Sequence, residues 1–297
     1  MHVVTWNLWW QFGPWQARQP AIGAELARLD PDITLLQEVW FEDGVDQAAE
    51  LARPLGLHVA RTTDRAGDPQ RFGNAILSRW PIRSTAMIRL SGEDGEPSHR
   101  SALAAVVETP DGLQPVVVTH LAWQYNAGPL RVRQLEETVR FAVAQAAAVT
   151  DDGRPADAVD DGAAKTGGTR SGDAAGLPII LGGDFNAVPD SDEIRRLTGL
   201  AAPYVPDVVF TDCWAAVGDG DGHTWTRANP HSADALWPRR RLDYVFVAWP
   251  RPKPLRNPVA AFLAGTEPVE YVDGPPGGIV PSDHYAVVVQ LDDRQTL

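Results

Sequence analysis

The chain has 297 residues, 44% of them hydrophobic, ample for a sizeable core in one large domain or two ordinary ones. Its formal net charge of −13 and pI near 4.9 disfavour unspecific binding of a polyanion, which depends on Lys and Arg neutralising phosphates. No apolar run is long enough to span a bilayer, and the lone Cys213 excludes an intrachain disulfide. Met1 leads almost directly into Val3-Val4-Thr5-Trp6, so a cytoplasmic protein without a secretory signal or stable membrane insertion is expected.

Short runs rich in Val, Ile and Leu predict strands over residues 3–8, 33–39, 75–78, 102–108, 115–121, 178–181, 242–248 and 285–291. Two helices stand between them. Ile22, Leu26 and Leu29 share a face of one, which stops at Asp30-Pro31; Leu135, Val139, Ala142, Val143, Ala146 and Val149 mark a longer one. Many strands with few helices suggest two packed sheets flanked by helices. Residues 150–176, almost entirely Asp, Gly, Ala, Thr and Ser, cannot bury enough apolar surface to offset their ordering entropy. They are expected to form a disordered insertion within a single domain spanning 1–297; an interdomain linker is the alternative. Residues 219–238, rich in Gly, Asp and Asn, carry Trp225 and Trp237 in a loop suited to substrate contact, although core packing is the default for any of the eleven tryptophans.

Several strand-like runs end in a polar residue. Asn7 follows Trp6; a turn-forming Asn is the ordinary reading, contact with a phosphate or a metal-bound water the functional one. Glu38 closes a buried apolar run and needs a partner, a metal ion or an Arg. With Asp283 it supplies the carboxylate oxygens that Mg2+, Mn2+ and Ca2+ prefer, and no Cys cluster or HExxH spacing suggests zinc. His120 ends Val116-Val117-Val118-Thr119, where a structural His is commoner than a catalytic one. Asp184 and Asn186 follow Gly182-Gly183, whose freedom allows a tight turn or close approach to a ligand. Asp184 can orient a water nucleophile while Asn186 donates to a transition-state oxyanion. Asp243 can accept a proton from His284 and fix its tautomer. Arg239-Arg240-Arg241 is the best candidate for a local basic patch.

Taken in order, Trp6-Asn7, Gln37-Glu38, Thr119-His120-Leu121, Gly183-Asp184-Phe185-Asn186, Leu242-Asp243-Tyr244 and Ser282-Asp283-His284 resemble the endonuclease/exonuclease/phosphatase superfamily. The likeness is to the branch containing DNase I, neutral sphingomyelinases and inositol-phosphate 5-phosphatases, and it spans residues 3 to about 290. It implies a four-layer α/β sandwich of two packed mixed sheets flanked by helices, a divalent metal, usually Mg2+, and hydrolysis of a phosphoester. It further implies Glu38 as central metal ligand with Asn7 and Asp283 nearby, and His284 as general base or water-positioning group paired with Asp243. Asp184 would orient the nucleophile or hold a second metal, and Asn186 would contact the scissile phosphate. His120 would act as general acid or stabilise the pentacovalent phosphorus; which His is acid and which base stays open.

Weaker matches place Asn74, in Gly73-Asn74-Ala75-Ile76-Leu77-Ser78, and Arg100 at phosphate-contacting positions, and Arg131-x-x-Gln134 as structural support. Trp9, where the abasic-site endonuclease branch carries an acidic residue, and His120, where that branch carries Tyr, argue against abasic-site repair. The expected function is a monomeric, metal-dependent phosphodiesterase whose substrate is a small molecule, a lipid headgroup or a nucleic acid. A nuclease is one alternative and a noncatalytic binding protein of the same fold another.

Overall fold

In the computed structural model, which describes residues 1–42, 44–62, 72–149, 176–249 and 255–293, the eight apolar runs pair at the centres of two sheets. The expected insertion at 150–176 lies, but for its last residue, outside the described residues. In chain order the elements are β1 (His2–Asn7), α1 (Trp15–Leu29), β2 (Ile33–Glu42), β3 (Val45–Asp46), α2 (Gln47–Ala52), β4 (His58–Arg61), β5 (Phe72–Ser78), β6 (Ile82–Ser91) and β7 (Pro97–Thr109). There follow β8 (Gly112–His120), α3 (Gly128–Ala147), β9 (Ile180–Asp184), α4 (Asp192–Leu197), β10 (Val209–Asp212), α5 (Cys213–Val217), β11 (Asp243–Trp249), β12 (Pro258–Ala264) and β13 (Ala286–Leu291). One sheet runs β12-β13-β1-β2-β5-β4, with β3 added to β2; the other runs β10-β11-β9-β8-β7-β6.

The central strands are apolar on both faces because both faces are covered. Val3, Ile33, Leu35, Val116, Val118 and Val287 point into the space between the sheets. Their neighbours, Val4 and Leu36 on one side and Val117 and Leu181 on the other, point outwards. Ile22 and Leu26 of α1 cover the first outer face, and Leu135, Val139 and Ala142 of α3 cover the second, which makes the four-layer α/β sandwich. α1 ends where expected: Asp30 is left-handed (φ 44°) and its N–H closes on Leu26 O. Pro31 cannot donate to a further turn.

Each sheet has one parallel pair at its heart, β1 with β2 and β8 with β9; the neighbours run antiparallel. The carboxyl ends of the parallel strands therefore lie beside the starts of β11 and β13. Register does the rest: Asn7 lies opposite Gln37, His120 opposite Asp184, and Asp184 opposite Asp243. Residues almost 280 positions apart thus meet on one edge of the sandwich.

Candidate active site

Glu38 reaches this edge through a break in the ladder. The register of β2 against β5 shifts between Leu36 and Val39, and Glu38 takes a left-handed backbone (φ 55°). A bulge of this kind re-aims a side chain at some cost in strain. Asn7 Nδ2 donates to Asp184 Oδ2 (3.0 Å) and, more weakly, to Glu38 Oε1 (3.4 Å), while Asn7 Oδ1 accepts from Trp9 N–H (2.9 Å). Asn7 is thus both the turn former and the bridge between two carboxylates.

The two glycines before Asp184 are dictated by contact. A Cβ on Gly183, whose φ is 148°, would sit 1.9 Å from Thr119 O, and one on Gly182 would sit 2.6 Å from Leu35 Cδ1. Asn186 turns the chain again in the left-handed region (φ 49°), which Asn tolerates better than most residues. Its N–H donates to Asp184 Oδ1 (2.9 Å) and its Nδ2 to Leu121 O (3.2 Å).

His284 and Asp243 form the tightest pair, Nδ1 to Oδ2 at 2.8 Å, both buried. His284 Nε2 faces Asp184 Oδ2 at 3.9 Å, and His120 Nε2 lies 3.4 Å from the same oxygen. Arg100 Nη1 lies 2.8 Å from the ring nitrogens of His120. Burial alone would lower the pKa of His284. The charges of Asp243, Asp184 and Asp283, with the hydrogen bond to Asp243, outweigh burial and hold it well above the usual value. His120 goes the other way: burial, then the charges of Arg100 and His284, hold it well below. One imidazole is poised protonated and the other neutral. Burial raises Glu38, and raises Asp184 and Asp283 each to about 6, with a neighbouring carboxylate adding to each.

Glu38, Asn7, Asp184, Asp283, His284, His120, Asn186 and Arg100 all line one cavity of about 710 Å³, with Asp243 buried behind His284. Asn74 is not brought to it: its Nδ2 donates to Ser101 O (2.9 Å), so it braces the strand carrying Arg100 where phosphate contact was expected. The expected basic patch also dissolves. Arg241 is buried on Asp212 (2.7 and 2.8 Å), Arg240 packs on the Tyr125 ring (4.3 Å), and only Arg239 is exposed.

Sequence reasoning missed Arg18. Fully buried on α1, it donates to the carbonyls of Leu8, Trp9, Trp10, Phe12 and Pro281, which fastens the loop after Asn7 to the segment before Asp283. An Arg on the apolar side of an amphipathic helix was the available signal. Arg131 and Gln134 do support the strand end after His120. Arg131 donates to Ala122 O and Gln124 O and pairs with Glu193, and Gln134 Oε1 accepts from Ala122 N–H.

The donor set fits a hard cation. Glu38 Oε2 is buried without a hydrogen-bond partner, and the raised carboxylates crowd charge that a cation would neutralise. Oxygens of Asp184 and Asp243 and a nitrogen of His284 also lie within 4.8 Å of one another, so this buried group can hold a metal ion.

Residues 4–284 match the Endonuclease/Exonuclease/phosphatase family, and the chain belongs to it. A sequence search of curated proteins finds no match. Among solved structures, D. rerio TDP2 complexed with single-strand DNA product is similar at 18% identity and TM-score 0.67, over 98% of each chain. The human Nocturnin catalytic domain with bound sulfate is similar at 19% and 0.63, over 98% of this chain and 94% of that one. An endonuclease/exonuclease/phosphatase from Beutenbergia cavernae is similar at 25% and 0.62, over 98% and 71%. The shared fold is the DNase I-like sandwich.

Proposed function

We propose that the chain is a divalent-metal-dependent phosphodiesterase in which His284 activates the attacking water. The observation that carries this is the buried His284–Asp243 pair, set against Asp184 and Asn186 in one cavity with the partnerless oxygen of Glu38. Glu38 and Asp283, with the remaining lone pair of Asn7 Oδ1, would hold the ion, Mg2+ by donor type, with Mn2+ or Ca2+ as alternatives. Bound there, the ion supplies charge neutralisation at a phosphoryl oxygen.

The chain's own groups handle the proton and the geometry. Asp243 fixes the tautomer of His284, leaving Nε2 toward the cavity. With a cation held by Glu38 and Asp283, one of the carboxylate charges that favour the protonated form of His284 is weakened, in the direction that lets its imidazole accept a proton from water. Asp184, between the two imidazoles, orients that water. Asn186, Arg100 and neutral His120 donate to the phosphoryl oxygens.

Within this class a nuclease is the second reading, favoured by the likeness to a TDP2 that binds single-strand DNA product. The test is to assay wild type and Glu38→Ala on bis-p-nitrophenyl phosphate, a single-stranded oligonucleotide and sphingomyelin, with Mg2+, Mn2+ or EDTA. Cleavage that needs the ion and is lost in the variant is expected. Turnover indifferent to both EDTA and Glu38 would sink the reading.

A further inference from the structure

Most aromatic rings around the cavity already have partners. Trp10 packs on Phe12 and Phe72, Trp9 on His231, and Tyr125 stacks on Trp237 with ring centres 3.8 Å apart. Trp123 and Trp225 line the same cavity, and neither has a ring partner among the described residues. Trp123 is 60% exposed, yet its backbone is held on both sides. Ala122 N–H donates to Gln134, and Arg131 Nη1 donates to Ala122 O (3.2 Å) and Gln124 O (2.7 Å). Trp225 is tied to Arg240 by a reciprocal pair of backbone hydrogen bonds of 3.0 and 2.8 Å. A large apolar ring kept in water on a fixed backbone has its ordering cost met in advance, which is how a recognition surface gains affinity.

We propose that Trp123, with Trp225, is a stacking platform for the base of a nucleobase-bearing phosphoester, either the unpaired end of a nucleic-acid strand or a dinucleotide. The proposal rests on the phosphodiesterase reading above and gives it a substrate class. Three features select a base over an acyl chain. The apolar lining is mostly aromatic, with Leu130 and Leu242 its only large aliphatics among the described residues, and π faces stack on bases of any sequence. Gln124, Asn186 and Arg240 lie in the same lining and offer donors to base edges or to a second phosphate. The cavity, about 710 Å³, falls within the roughly 300–1,000 Å³ of sites for drug-sized ligands and exceeds what a bare phosphate fills. The net charge of −13 works against a long duplex, so affinity must come from stacking and depend only shallowly on salt.

The test compares wild type, Trp123→Ala, Trp123→Phe and Trp225→Ala on a single-stranded oligonucleotide, an abasic strand of equal length, a dinucleotide and glycerophosphocholine. In Trp123→Ala the ratio of kcat/KM on the base-bearing substrate to that on the abasic strand is expected to fall roughly 5- to 150-fold, mainly through KM, with Phe restoring most of it. A fall confined to the dinucleotide assigns the small molecule; a fall on the oligonucleotide assigns the strand end. Quenching of intrinsic fluorescence by a nucleoside monophosphate should shrink in Trp123→Phe, whether or not turnover occurs. Quenching retained in a chain that hydrolyses none of the substrates, glycerophosphocholine included, would sink the phosphodiesterase reading while keeping the platform. An unchanged ratio in both alanine variants, or equal losses on base-bearing and abasic strands, overturns the platform. So does Trp123-dependent binding to vesicles of phosphatidylcholine and sphingomyelin without any quenching by nucleotide, which makes the surface a membrane contact.

Discussion

The floor and the rim of the cleft are held by different means. On the floor, Asn7, His120, Asp184 and Asp243 sit on strands whose register fixes each against its neighbour, and the side chains bond to one another. On the rim, the aromatic residues stand on loops with little regular structure, and two buried guanidiniums shape those loops by binding carbonyls. Arg18 takes five around Trp9 and Trp10, and Arg131 takes two around Trp123. Trp9 and Trp10 both have positive φ (57° and 34°), conformations that cost about 1–3 kcal/mol each and persist only when the surroundings impose them. A floor built on register leaves little room for change, whereas a rim hung on a few arginines can be rebuilt without disturbing the chemistry.

The sharpest way to isolate the floor is His284→Ala. It is expected to lower kcat roughly 10²- to 10⁴-fold with far-UV circular dichroism unchanged, since one proton-transfer group is lost and no strand is altered. Asp243→Asn should lower kcat less and move the His284 pKa down, read by NMR titration of the imidazole, because the largest charge opposing burial is gone. Near-normal kcat in both variants would remove this pair from the mechanism. The rim breaks elsewhere. Arg18→Ala strands five carbonyls, and at about 0.5–1.5 kcal/mol per hydrogen bond a stability loss of roughly 2.5–7.5 kcal/mol is expected in urea titration. Arg18→Lys keeps the charge but cannot reach five acceptors, so it should recover only part of that loss. Full recovery would show that charge near Asp283 and Glu38 matters more than the carbonyl bonds.

The same contrast explains what was legible in the sequence. All eight predicted strands exist, and they are the ones covered on both faces, where nearly every position must be apolar. The strands missed include all four sheet edges, β4, β6, β10 and β12. β4 and β10 are only four residues long, and β6 carries outward polar residues, as in Ile82-Arg83-Ser84-Thr85, so these runs do not stand out from loop; β12, Pro258-Val259-Ala260-Ala261-Phe262-Leu263-Ala264, is apolar enough to read as a strand and was overlooked. Floor residues were readable because a polar side chain ending an apolar strand is conspicuous. Asn74 was placed by resemblance alone, at the start of its strand, and the resemblance does not show that its side chain turns to Ser101 O and not to the cavity. Arg18 and Trp123 act through loop backbone and exposure, which leave no periodic trace.

The floor also carries a cost that can be measured without turnover. Burial, with Glu38 adding to it, raises Asp283 from 3.8 to about 6 in the folded chain. A carboxyl whose folded pKa lies above its unfolded one binds protons more tightly when folded, so stability falls as pH rises through that window. The two-unit gap is worth about 3 kcal/mol, lost between roughly pH 4 and 6 and absent from any variant that cannot ionise there. In EDTA, Asp283→Asn should therefore be more stable than wild type at pH 8 by up to about 3 kcal/mol, with the advantage gone near pH 4. Adding Mg2+ at pH 8 should narrow or reverse the order, because wild type gains more from binding: about 2.7 kcal/mol for an intact site at a hundred times Kd. Urea midpoints at four pH values, with and without Mg2+, measure both effects. If Asp283→Asn is the less stable protein at pH 8 in EDTA, the carboxylate is satisfied by groups already in the chain, and the case for a cation at Glu38 and Asp283 loses its electrostatic basis.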